Sequence, residues 1–221
     1  MDAVLDQFFN LQIMIDAWPI IWRGLLMTLL LCVIVIPLGL VGGLAVALLG
    51  TVRSKPVRWA VIGFVDLFRA VPPLVLLIFV YAGLPFAGLQ LSPLAAVSIA
   101  FLLNNSAYYG EIYRAGIESI GAGQAEAARS TGLNAFQTMA YVVLPQAIRN
   151  VLPDLVSNTV EIVKLTSLAS VVALPELLYS ADMARSVTYN TSPIVMAAGI
   201  YLLMLWPVVR LLSRLEHRMG H

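Results

Sequence analysis

Hydrophobic positions along this chain come in long uninterrupted runs. Residues 24–52 hold no ionisable side chain except Cys32, residues 70–110 none except three tyrosines, and residues 186–209 no acid or base. Runs beyond about 18 apolar residues are long enough to cross the hydrocarbon core of a bilayer as helices. The pattern predicts an all-α polytopic membrane protein with five transmembrane helices, at about residues 19–49, 59–82, 93–118, 154–174 and 193–212. Pro72-Pro73 breaks the second span. The uncharged run 70–110 is too long for one helix, and Gly83-Leu84-Pro85 with Ser92-Pro93 divides it. One membrane domain, residues 1–221, accounts for the chain.

Composition agrees with this reading. Of the 221 residues 60% are hydrophobic and 11% charged, whereas a soluble domain carries charge on about a quarter of its residues. The net charge of +1 and the absence of a basic tract give no reason to expect nucleic acid. Cys32 stands alone in apolar sequence, so it has no internal disulfide partner and reads as a packing residue. Asp2, Asp6 and Asp16 replace the basic region of a cleaved signal peptide, so the first run is expected to be retained.

Lysine and arginine set the orientation. One set of flanks holds Arg53, Lys55, Arg58, Arg114, Arg129, Arg149, Arg210, Arg214 and Arg218; the opposite set holds only Arg23 and Arg185. The positive-inside rule makes the first set cytoplasmic. The N-terminus is then periplasmic and the C-terminus cytoplasmic, as an odd number of spans requires.

A polar segment at about residues 121–150, GAGQAEAARSTGLNAFQTMAYVVLPQAIRN, therefore faces the cytoplasm between the third and fourth spans. Residues 124–131 are good helix formers, and Gly132 stands where a left-handed C-cap residue belongs. Asn134 is placed to cap a second helix over 135–144, stopped by Pro145. A two-turn helix is marginal in water by itself. It must be held either by its own bundle or by a partner whose groove its small side chains can enter, and local physics leaves both open.

The run Glu126-Ala127-Ala128, Gly132 and Leu144-Pro145 resembles the cytoplasmic signature of permease subunits of ATP-binding-cassette importers. Residues 107–117 (AYYGEIYRAGI) and Lys164-Leu165-Thr166-Ser167-Leu168 are similar to segments of the polar amino-acid permease family, of histidine, glutamine and arginine type with the type I importer fold. Phe68-Arg69-Ala70-Val71-Pro72 resembles that family's Phe-Arg-Gly-Thr-Pro, with Ala70-Val71 in place of Gly-Thr. The resemblance covers about residues 24–216. It implies a coupling helix docked on a cytoplasmic ATPase, with Glu126, Ala127, Ala128, Arg129 and Gly132 at the contact. It also implies two ATP-binding subunits, a second permease subunit (identical or homologous), a periplasmic solute-binding protein, and residence in the bacterial inner membrane. No Gly-x-x-x-x-Gly-Lys-Ser/Thr sequence occurs, so ATP and Mg are expected on the partner ATPase, with no cofactor on this chain and no enzymatic activity of its own.

Charges within spans are expensive and mark a pathway or a pair. Asp66 and Arg69, three apart, are expected to pair as a latch beside Pro72-Pro73. Glu161 and Lys164 form a second such pair; Glu161 could instead meet a substrate ammonium group or Arg69. Asn104 and Tyr108 share one helix face and could line a cavity, although bonding across helices is the favoured reading. Glu111 and Arg114 brace the helix before the polar segment, and Gly39-x-x-x-Gly43 permits close helix packing. His217 and His221 lack ligand spacing, so no metal is assigned. The outer loop 175–192, with Glu176, Asp182 and Arg185, is the expected docking stretch for the binding protein. The expected function is a permease subunit moving a polar amino acid or similar small solute inward; the alternative is an ion-gradient-driven transporter or channel using Asp66, Glu111 and Glu161.

Overall fold

The computed structural model describes residues 2–219, with side chains from residue 3 to residue 213. The side chains of Arg214, His217, Arg218 and His221, assigned above to the cytoplasmic tail, lie outside the described residues. Every regular element among the described residues is helical.

A short helix α1 (Asp2–Phe9) precedes α2 (Leu11–Gly50), in which the first apolar run is one helix of 40 residues. The second predicted span is broken where expected. Helix α3 (Lys55–Ala70) ends because Val71, forced extended by the following proline, sits at φ −78 and ψ 125. Helix α4 (Pro73–Ile78) resumes with proline at its first position, then passes through a π-helical turn (Phe79–Gly83) and a 3-10 turn (Leu84–Ala87) closed by left-handed Gly88. Helix α5 spans Pro93–Glu118.

Beyond it come α6 (Ala122–Ser130), α7 (Ala135–Thr138), a π-helical turn (Met139–Val143), α8 (Leu144–Asn150) and α9 (Leu152–Leu165), the last continued by a 3-10 segment (Thr166–Val172). Helices α10 (Leu177–Thr188) and α11 (Ser192–Met219) complete the chain.

Three helical stretches are long and apolar enough to cross a membrane: Ala3–Gly50, Leu152–Val172 and Ser192–Ser213. A fourth follows if Lys55–Ala70 and Pro73–Ala87 form one broken span. Helix α5, at 26 residues, reaches about 39 Å at 1.5 Å per residue, enough to cross; Asn104, Asn105 and Ser106 interrupt its apolar run.

The chain divides into two compact units. The first comprises the described residues within Met1–Ile36, Pro73–Phe101 and Thr159–His221. Its core joins Ala17 and Ile21 of α2, Leu177, Ala181 and Ala184 of α10, and Ala197 of α11. Residues 177–188 were expected within an outer loop. They form a helix instead, because Leu177, Ala181 and Ala184 repeat at helical spacing and bury one face. Gly24 shows how close α10 lies to α2: a Cβ there would sit 2.5 Å from Ser180 Oγ and 2.8 Å from the Glu176 carbonyl oxygen.

The second unit comprises Pro37–Pro72 and Leu102–Asn158. Here Gly39, Gly42 and Gly43 let the later part of α2 lie directly on α5. A Cβ on Gly43 would approach Tyr109 Cβ to 2.4 Å, and one on Gly42 would approach Ser106 Oγ to 2.1 Å. The small-residue seam is therefore occupied, as such seams in membranes are, by a neighbouring helix at backbone distance.

Candidate coupling segment and pathway residues

Helix α6 closes with both hydrogen bonds of a Schellman motif. The Gly132 N–H donates to the Arg129 carbonyl (3.0 Å) and the Leu133 N–H to the Ala128 carbonyl (3.4 Å), with Gly132 at φ +94. The next helix starts on a capping box: the Gln137 N–H donates to Asn134 Oδ1 and the Asn134 N–H to Gln137 Oε1, both at 2.9 Å. That helix was expected to stop at Pro145. It continues, because the π-helical turn Met139–Val143 absorbs the missing N–H and places Pro145 in the first turn of α8.

One side of α6 is anchored. Ala128 is buried, and α6 contacts both α7 and the π-helical turn behind it. Glu126, Ala127, Arg129 and Gly132 are exposed. A nine-residue helix thus has one small residue turned inward to hold it and its polar positions turned outward. Phe136 and Tyr141, 77% and 70% exposed, add aromatic surface to the same segment. Their signal in the sequence, two aromatics inside a polar run, does not by itself mark them as functional.

The ion pairs differ from expectation in one respect. Arg69 does not pair with Asp66: its guanidinium donates to Glu111 Oε2 on α5 at 3.2 Å and lies 5.6 Å from the centre of the Tyr108 ring. Glu111 faces Arg69 and is also held by Arg114 (2.8 Å), which reaches on to Glu118 (2.7 Å). The longer arm of Glu111, on the neighbouring helix, wins over the short Asp66 side chain one turn away. A cavity of about 460 Å³ lies beside this ladder, lined on its polar side by Arg58, Asp66, Glu111, Arg114 and Glu118.

Tyr108 and Arg69 are exposed, but Asn104 is buried, its Nδ2 donating to the Phe68 carbonyl at 2.8 Å while Oδ1 has no hydrogen-bond partner. Asn104 therefore ties α5 to the end of α3 and presents one unused acceptor. In the other unit, Lys164 donates to Glu161 as the spacing predicted, and both side chains are about half exposed.

Glu176 stands apart. Placed by sequence in an exposed loop, it is fully buried. Its Oε1 accepts from the Tyr179 N–H (2.7 Å), and its Oε2 accepts from the Leu178 N–H (2.9 Å) and the Tyr201 hydroxyl (3.3 Å). The Leu177 N–H donates to Thr28 Oγ1 at 3.1 Å. Among the first N–H groups of α10, which no helix can satisfy internally, those of Leu177, Leu178 and Tyr179 are matched by side chains and that of Glu176 by the Leu174 carbonyl at 2.8 Å.

A transport role agrees with these features and with known proteins. Residues 36–221 match the family described as binding-protein-dependent transport system inner membrane component. The chain is 37% identical over 194 residues to the probable amino-acid ABC transporter permease protein YckA of Bacillus subtilis (strain 168), covering 87% of this chain and 86% of that one. It is 36% identical to the probable glutamine ABC transporter permease protein GlnM of the same organism, over 95% and 98% of the two chains. A crystal structure of an amino acid ABC transporter with histidines superposes with a TM-score of 0.84 at 36% identity, covering 93% and 96%. The chain belongs to the family of membrane components of binding-protein-dependent transport systems. It is the permease subunit of an ATP-binding-cassette importer, a non-catalytic membrane protein whose ATPase is a separate subunit.

Proposed function

We propose that this permease moves a polar amino acid or a closely related small solute from periplasm to cytoplasm across the bacterial inner membrane. The observation that carries the substrate class is the full-length likeness to permeases named for amino acids and glutamine. Five spans within one permease domain of residues 1–221, with the N-terminus outside and the C-terminus inside, fit the distribution of lysine and arginine. Two such subunits face each other across the pathway, two ATPases carrying ATP and Mg dock below, and a solute-binding protein docks above.

The coupling contact is assigned to Glu126, Ala127, Arg129 and Gly132, with Ala128 as the inward anchor of the same helix. Exposure of the first four around a buried alanine supports this. Glu161, Lys164, Arg69 and Tyr108 are assigned to the pathway or its gate, being charged or hydroxyl groups left half-open in apolar helices. Asn104 holds the helix end beside Arg69 and belongs to the gate as a support. The test is uptake by proteoliposomes carrying the complete transporter at a clamped proton gradient, with and without ATP inside. Uptake that follows the proton gradient and ignores ATP defeats the proposal.

A further inference from the structure

We infer that Tyr189 is the anchor on which the solute-binding protein docks, with Arg185 beside it. This rests on the reading above that residues 175–192 face outward. Tyr189 caps the C-terminus of α10 in the left-handed region, at φ 52 and ψ 29. That conformation costs a bulky L-residue roughly 1–2 kcal/mol and is ordinarily left to glycine or asparagine. The strain is imposed by a turn fastened on both sides. Asn190 Nδ2 donates to the Asp6 carbonyl (2.8 Å), the Thr191 N–H to the Gln7 carbonyl (3.0 Å), and the Asn10 N–H to Ser192 Oγ (2.8 Å). The Ser192 N–H closes on Asn190 Oδ1 at 2.9 Å, and Asn190 and Ser192 are both buried.

This rigid turn presents the ring to the outside: Tyr189 is 88% exposed. Backbone strain persists where surrounding structure over-determines it, and such sites cluster at functional positions such as ligand clamps and switch regions. A tyrosine on a pre-ordered turn is a low-entropy contact, the residue type enriched at interface hot spots. The hollow beside the ring, about 320 Å³, is lined by Gln7, Arg185, Ser186 and Thr191, and Arg185 is held by Asp182 at 2.7 Å. That rim is polar, so it fits a water-soluble protein. The family's dependence on a binding protein identifies which one. Glu176, buried at the far end of the helix, takes no part in the contact.

The experiment uses the complete transporter in lipid nanodiscs, with ATP hydrolysis titrated by its purified solute-binding protein. Tyr189→Ala and Tyr189→Gly should raise the half-stimulating concentration roughly tenfold or more, with basal and maximal rates unchanged, while Tyr189→Phe stays within about twofold of the unaltered protein. Tyr189→Gly should also melt at or above the unaltered protein, because glycine relieves the left-handed strain. Loss of docking in a better-folded variant separates contact from structure. Superimposable titrations for Tyr189→Gly and the unaltered protein overturn the inference while leaving the importer reading intact. Absence of any stimulation in the unaltered transporter removes that reading and the docking site with it. Quenching of Tyr189→Trp fluorescence by brominated lipid, undiminished by the binding protein, places the ring in the membrane and likewise overturns the inference.

Discussion

Removing the Glu176 carboxylate should destabilise the permease by several kcal/mol although the residue lies near no expected substrate contact. Helix α10 begins inside the protein, with Glu176 and Leu177 fully buried and Leu178 and Tyr179 half-buried. Glu176 supplies both carboxylate oxygens to two of them, those of Leu178 and Tyr179, and Thr28 supplies a third acceptor to Leu177. Glu176→Ala leaves two half-buried donors without their carboxylate partner, at no more than about 1–3 kcal/mol each and a gross cost of at most roughly 2–6 kcal/mol. Relief from burying a carboxylate offsets part of this, and a net loss of about 2–4 kcal/mol remains. Glu176→Gln keeps one acceptor oxygen and should lose about half as much. Thr28→Val removes the acceptor of a single N–H at nearly constant volume and should cost about 1–3 kcal/mol. Thermal midpoints of the purified permease complex in one detergent provide the assay. At roughly 2–4 °C per kcal/mol for a chain of this size, Glu176→Ala should melt well below Glu176→Gln, and both below the unaltered protein. A Glu176→Ala midpoint indistinguishable from that of the unaltered complex would refute the argument that the carboxylate satisfies the helix start.

Further outcomes are expected at four positions. Gly43→Ala drives a Cβ to 2.4 Å from Tyr109 Cβ and 2.8 Å from the Gly110 nitrogen, so it should lower the thermal midpoint by the equivalent of about 1–3 kcal/mol or more. Gly63→Ala meets nothing within 4 Å inside α3 and should raise it by about 0.5–1 kcal/mol; equal midpoints would contradict the seam. Gly132→Val faces open space, so its cost is the left-handed backbone alone, roughly 1–2 kcal/mol. It should uncouple substrate-stimulated ATP hydrolysis, while Gly132→Asn, which tolerates that conformation, restores it; normal coupling in the valine variant removes Gly132 from the ATPase contact. Glu161→Gln should reduce uptake at least several-fold without lowering the midpoint, since the pair with Lys164 is half-exposed and worth no more than about 1 kcal/mol. Unchanged uptake and ATPase stimulation exclude Glu161 from the pathway.

Much of this architecture was readable from local sequence. Apolar runs predicted the long helices, and proline placed the break at Val71, because the residue before a proline is pushed from the helical region whatever surrounds it. Gly132 and Asn134 announced their caps for the same reason: the constraint lies within a few residues of chain. The amphipathic spacing of Leu177, Ala181 and Ala184 was equally present in the letters, and was obscured by charged residues on the opposite face.

What the letters alone could not decide is which of several possible partners a side chain meets. Arg69 had Asp66 three residues away and Glu111 on another helix 42 residues later, and only packing brought Glu111 within 3.2 Å. Glu176 reads as an ordinary loop carboxylate until folding buries it against a helix terminus whose N–H groups have no other acceptor. Local rules are steric and act on every copy of a residue alike. Pairing and burial depend on distances between segments far apart in the chain, and those are set only when the helices assemble.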